Sequence, residues 1–262
     1  MRPSRLFVLL PFLLLAACQH QPTARGPEAE ASQTVNARAR IHTELAAQYY
    51  ARRQYSVALQ EVREALVSDG GYAPAYNMLA LVHAALLEDK EAEENFRRAI
   101  SLSSQYSEAH NNFGYFLCTR KRRAEAMQHF EQAWKNPLYA TPERALANAA
   151  QCALRSGDPA EAERFAQRAL IREGRQPQAL VTMAEIHYQR GNLVMARSLL
   201  QQVEAQGAMD APALWLALKL ERRAGAREAE ANYGLQLRRY HPEAPETAWL
   251  MAGEYDMPGV KP

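Results

Sequence analysis

Apolar residues recur three and four positions apart along most of the chain, as in Leu45-Ala46-Tyr49 and Ala58-Val62-Ala65, a spacing that places them on one face of a helix. A longer period overlies this one. Small residues recur at Ala46, Ala80, Gly114, Ala150, Ala184 and Ala217, and a second small slot twelve residues later reads Ala58, Ala92, Ala126, Ala162, Ala196 and Ala229. Both series have spacings of 34, 34, 36, 34 and 33, so the unit is a pair of amphipathic helices whose small residues allow a close crossing. Turn residues punctuate the units internally at Gly157-Asp158, Gly191-Asn192 and Gly225, and between units at Gly70-Gly71, Asn136-Pro137 and Gly174. The pattern predicts an all-α chain with six helical hairpins over residues 38–243. The sixth fits least well: Gln236 occupies its last small slot, and its frame can shift by one. Residues 244–262 read as a C-terminal cap and tail, with Trp249 and Leu250 on a short closing helix.

The slots resemble the L-G-x-x-Y, A-x-x-x-F-x-x-A skeleton of the tetratricopeptide repeat. In the third unit this is Phe113-Gly114-Tyr115-Phe116-Leu117, then Ala126, Phe130 and Ala133. The resemblance implies a right-handed superhelix of about six repeats, whose concave wall is lined by first helices and offers a groove to a peptide or partner helix. Counting along the first helices puts Tyr50, Asn77, Leu81, Asn111, Tyr115, Gln151 and Tyr188 on that wall. Aromatic rings and amides suit an extended backbone with apolar side chains. The pair Asn111-Asn112 reads either as ligand contacts or as packing and capping amides.

The N-terminus adds an address. Arg2 and Arg5 precede an apolar run from Leu6 to Ala17, too short to span a bilayer, that ends in Leu15-Ala16-Ala17-Cys18. This is a lipobox: residues 1–17 are expected to be cleaved, and Cys18 to carry N-acyl and diacylglycerol lipid. Gln19 stands where an aspartate would favour inner-membrane retention, which points to the outer membrane, with the protein facing the periplasm. Residues 18–37, rich in Gln, Pro, Ala, Glu and Thr, read as a flexible tether. Cleavage removes two of the 31 basic residues and leaves 29 against 29 acids, a balance that provides no electrostatic footprint for nucleic acid.

Candidate chemistry changes this picture little. His83 and His187 occupy a slot usually held by tyrosine, and His110 one usually held by tryptophan; His20, His42, His129 and His241 complete the set. No H-E-x-x-H, G-x-S-x-G or glycine-rich phosphate loop occurs, and carboxylates such as Glu91, Glu93 and Glu94 read as a solvated face. The chain is therefore expected to be no enzyme and to need no metal, cofactor or small-molecule substrate. Cys118 and Cys152, 34 residues apart on first helices of neighbouring units, read either as a disulfide permitted by an oxidising compartment or as two small buried thiols.

The stretches from His110 to Cys118, Asn136-Pro137-Leu138-Tyr139-Ala140-Thr141-Pro142 and Ala147 to Leu154 resemble the type IV pilus biogenesis and stability lipoproteins, the PilF/PilW family. The resemblance covers the lipobox and all six repeats. It implies a pilotin: a lipoprotein that brings the pilus secretin subunit to the outer membrane and promotes its multimerisation, with other pilus assembly proteins as further partners. Tyr50, Leu81, Asn111 and Tyr115 would then be the gripping contacts. Anchor and groove also suit a second role, an adaptor that scaffolds periplasmic peptidoglycan hydrolases or proteases.

Overall fold

The computed structural model describes residues 27–255, with side chains from residue 36 onward; Cys18 and its lipobox lie outside the described residues. Thirteen helices and no strand occur in this span. They pair as α1 (Pro27–Ala51) with α2 (Tyr55–Ser68), α3 (Ala73–Ala85) with α4 (Asp89–Leu102), α5 (Ser107–Thr119) with α6 (Arg123–Lys135), and α7 (Pro142–Arg155) with α8 (Pro159–Arg172). The series continues with α9 (Pro177–Gln189) and α10 (Leu193–Glu204), then α11 (Ala211–Ala224) and α12 (Arg227–Tyr240), and closes on α13 (Pro245–Ala252). No helix among the described residues is long and apolar enough to cross a membrane.

One correction concerns the tether. Helix α1 begins at Pro27, so residues 27–37, expected to be flexible, are helical instead. Proline suits a first helical position, and the Glu-Ala-Glu-Ala that follows supplies strong helix formers with acids in the first turn.

The same turn joins the helices of every hairpin. A residue in the left-handed region stands at Arg53, Leu87, Lys121, Gly157, Gly191 and Gly225, with φ between 59° and 80°. The residue after it donates backwards five positions: Gln54 N to Tyr49 O, Glu88 N to His83 O, Arg122 N to Leu117 O, Asp158 N to Ala153 O, Asn192 N to His187 O, and Ala226 N to Glu221 O. In each pair the donor immediately follows the left-handed residue. The acceptors are spaced 34, 34, 36, 34 and 34, which settles the frame of the sixth hairpin. Its small slots are displaced by one from Ala217 and Ala229, and the equivalent positions are Leu218 and Glu230.

This shift has a packing reason. In the first five hairpins a small residue of the first helix faces a residue of the second that is often large: Ala46 and Val62, Ala80 and Phe96, Gly114 and Phe130, Ala150 and Ala166, Ala184 and Leu200, all buried. In the sixth, Leu218 is large and its partner position is Gly234, where an added Cβ would lie 3.5 Å from the Leu218 side chain. The sizes have exchanged helices while the crossing is kept.

The cores run on from hairpin to hairpin through shared residues such as Leu81, which packs against both the first and the second core. At the C-terminal end α13 covers the last hairpin, where Trp249 lies 6.0 Å from Trp215 and Tyr255 stacks on Trp215 at 5.8 Å. The row of hairpins curves far enough for its ends to meet: Arg53, in the first turn, donates to Glu243, between α12 and α13, at 2.7 Å.

Candidate protein-binding surface

Tyr50 on α1, Leu81 on α3 and Tyr115 on α5 form an aromatic and aliphatic stretch of the inner wall. Tyr115 is 43% exposed, while Tyr50 and Leu81 are half-buried. Tyr50 packs against Tyr55 with ring centroids 5.7 Å apart. Burial raises the pKa of its phenol, and the nearness of Tyr55 and then Tyr115 raises it further. First and third hairpins therefore present their rings to the same space.

Asn77 and Asn111 were expected beside these residues, and the structure corrects both. They are 6% and 1% exposed, because their amides join successive first helices instead of facing the groove. Asn112 Nδ2 donates to Asn77 Oδ1 at 3.2 Å, and Asn148 Nδ2 donates to Asn111 Oδ1 at 2.9 Å. Asn77 also hydrogen-bonds the Tyr106 phenol, whose pKa is pushed up to about 12, first by burial and then by Glu108. Of the adjacent pair, packing amides is the correct reading. Gln151 is half-buried on α7, in the slot that holds Leu81 and Tyr115 in earlier hairpins.

Tyr188 belongs to a different stretch of the wall. It lines a cleft of about 790 Å³ with Lys219, Arg222 and Arg223 of α11 and with Gly253, Glu254 and Tyr255. Lys219 Nζ lies 5.2 Å and the Arg223 guanidinium 5.5 Å from the Tyr188 ring centre, and Arg222 stacks on Tyr255 at 3.8 Å. Sequence reasoning found the tyrosine but missed the cations, although Lys219-Leu220-Glu221-Arg222-Arg223 was available as a signal.

Cys118 on α5 and Cys152 on α7 are disulfide-bonded, with Cα atoms 5.8 Å apart, so the open choice between bridge and thiols resolves to a bridge. The same joint carries other links. Asn136 Nδ2 donates to Ser107 Oγ at 2.8 Å and to Gln105 O at 3.0 Å, Tyr139 donates to Glu108 at 3.1 Å, and Arg123 pairs with both Asp158 and Glu161. The two-residue insertion that lengthens this repeat is thus bonded into the joint, with Leu138 left 90% exposed.

Among the described residues, two histidines pair. His110 Nδ1 and His129 Nδ1 lie 2.9 Å apart, and His110 Nε2 reaches Ser104 O at 3.2 Å. A carbonyl only accepts, so Nε2 of His110 carries the proton, its Nδ1 accepts, and His129 Nδ1 donates. Burial lowers both pKa values; that of His129 falls to about 4, with His110 a second cause. No group of three or more potential metal ligands occurs among the described residues.

A wall of first helices, a continuous shared core and repeated turns define a tetratricopeptide repeat scaffold, a fold that typically binds proteins. Tetratricopeptide repeat models match residues 73–106 and 153–220. The chain is 31% identical over 194 residues to the type IV pilus assembly protein PilF of Pseudomonas aeruginosa, covering 74% of this chain and 77% of that one. The chain belongs to the PilF/PilW family of tetratricopeptide repeat proteins. The solved structure of Pseudomonas aeruginosa PilF superposes with a TM-score of 0.64 at 29% identity over 84% of this chain and 99% of that one. The structure of PilW, a widely conserved type IV pilus biogenesis factor, gives 0.64 and 29% over 81% of this chain and 98% of that one.

Proposed function

We propose that this chain is a pilotin for type IV pilus assembly: lipidated at Cys18, held at the outer membrane facing the periplasm, and binding the pilus secretin subunit so that it reaches that membrane and multimerises. The observation that carries the reading is the wall formed by Tyr50, Leu81 and Tyr115 in the first three hairpins of a chain that matches PilF over most of its length. Half-buried rings with exposed edges give a partner segment apolar area at small entropic cost, since tyrosine has few rotatable bonds to immobilise. The lipid supplies the membrane address without a spanning helix. Binding and transport of a partner need no turnover, so the role is that of a scaffold and not of an enzyme.

Deleting the gene and following the pilus secretin by membrane fractionation and unheated gel electrophoresis tests this. The proposal expects monomeric secretin or secretin left in the inner membrane, with loss of twitching motility and normal cell shape. Normal secretin rings together with a cell-shape defect would transfer the protein to the adaptor role with cell-wall hydrolases.

A further inference from the structure

The inner wall changes character along its length. The slot that reads Leu81, Tyr115 and Gln151 in the second to fourth hairpins continues as Glu185 and Lys219 in the fifth and sixth. The slot of Tyr50 reads Ala84, Cys118 and Leu154 in the second to fourth hairpins, then Tyr188 and Arg222 in the fifth and sixth. An apolar, aromatic half is followed by one in which charged side chains, mostly cations, surround Tyr188, and this second half contains the cleft of about 790 Å³, a volume on the scale of ligand sites.

We propose that this cleft is a second recognition site, which takes an acidic peptide segment of a partner protein. The inference goes beyond the pilotin reading and does not depend on it. Arg223 holds the Tyr188 carbonyl with one nitrogen at 3.2 Å and, among the described residues, has no carboxylate within ion-pair distance. Among the described residues, the carboxylate nearest Lys219 is that of Glu185, in a long contact at 3.8 Å. Both cations are held against the Tyr188 ring, so their positions are fixed before a ligand arrives. A carboxylate entering between them would gain charge-assisted hydrogen bonds in a partly enclosed space. Arg222 is engaged with Tyr255 and with Glu230 at 2.8 Å, and forms the wall of the cleft. A peptide fits better than a small anion because the cleft, at about 790 Å³, far exceeds one carboxylate or phosphate, and Glu254 in its lining keeps an acidic chain to the side of Lys219 and Arg223.

The test is fluorescence anisotropy with labelled hexaglutamate and hexaglutamine, added to the full chain in mild detergent and to the K219Q/R223Q variant, with helicity followed by circular dichroism. The site is expected to bind hexaglutamate at least about tenfold more tightly than hexaglutamine and to lose that preference in the variant while its helicity is unchanged. Equal binding of the two peptides overturns the proposal, as does a variant that retains the preference. So does complete displacement by inorganic phosphate at the concentration of the peptide, which marks a general anion site. None of these outcomes bears on secretin assembly, so the pilotin reading is judged separately.

Discussion

Gly114 shows how tightly one residue can be specified. A Cβ there would lie 2.8 Å from the Phe130 ring and 3.0 Å from the Ala126 carbonyl oxygen, and Phe130 is fully buried in the core. Gly114→Ala is expected to destabilise the fold by roughly 1–3 kcal/mol in urea unfolding, despite the gain in helix propensity. No loss would mean that the α5–α6 crossing is looser than described. Lys121 is the opposite case, an exposed side chain at φ 61° where later repeats use glycine. Lys121→Gly should stabilise by about 0.5 kcal/mol, as the relief of left-handed strain exceeds the extra entropy of the unfolded chain; a lower Tm would contradict this. The paired imidazoles give a pH dependence. Their folded pKa values lie below the unfolded value, so the unfolded chain takes up protons first and stability declines as pH falls from about 6.5 towards 4. Glu125 opposes the shift of His129, whereas Arg97 and Arg122 reinforce it. With the His129 ring only partly shielded from solvent, the loss should be about 1–2 kcal/mol. Replacement of His129 by Gln should flatten the curve in that window; an unchanged slope would remove the pair from the account.

Among the elements, the joint between the third and fourth hairpins concentrates the covalent and polar links. A disulfide closing a loop of this length contributes roughly 2–4 kcal/mol, and here it acts together with Asn111–Asn148 and the Arg123 ion pairs. C118A/C152A is expected to unfold at lower urea while keeping its helicity; an identical midpoint would show that packing alone holds the joint. Much of this level could be read beforehand. Helix pairs, turns and period follow from small residues and glycines because a close crossing tolerates little else, and the insertion at Asn136-Pro137 stood out as a spacing of 36. The asparagines could not be placed. Wall and joint positions are one residue apart on a helix, and only the partner helix decides which amide finds a mate. The sixth frame was ambiguous for a related reason: Leu218 against Gly234 reverses the sizes on which the pattern relied. Residues 27–37 misled because Pro, Glu and Ala compose tethers and helix starts alike.

At the scale of the whole molecule, the first and last hairpins meet through Arg53 and Glu243, both well exposed, so the contact itself is worth at most about 1 kcal/mol. Its value lies in what it reports: the row of hairpins curves until its two ends touch, and within it Tyr50 and Tyr115 lie near enough for their phenols to interact. The charged half of the wall went unread because its cations come from a single short run in α11, while its rings come from Tyr188 and from Tyr255, beyond α13. The central claim is that the wall of the first three hairpins grips the pilus secretin. It is tested most directly by complementing a deletion strain with Tyr115→Ser and measuring multimeric secretin in the outer membrane against the wild-type chain at equal expression. Tyr115 is exposed, so its loss should leave the fold intact, and the account predicts several-fold less multimer with normal amounts of the variant protein. Full multimerisation by a Tyr50→Ser/Tyr115→Ser chain that is folded and present at normal levels would contradict it.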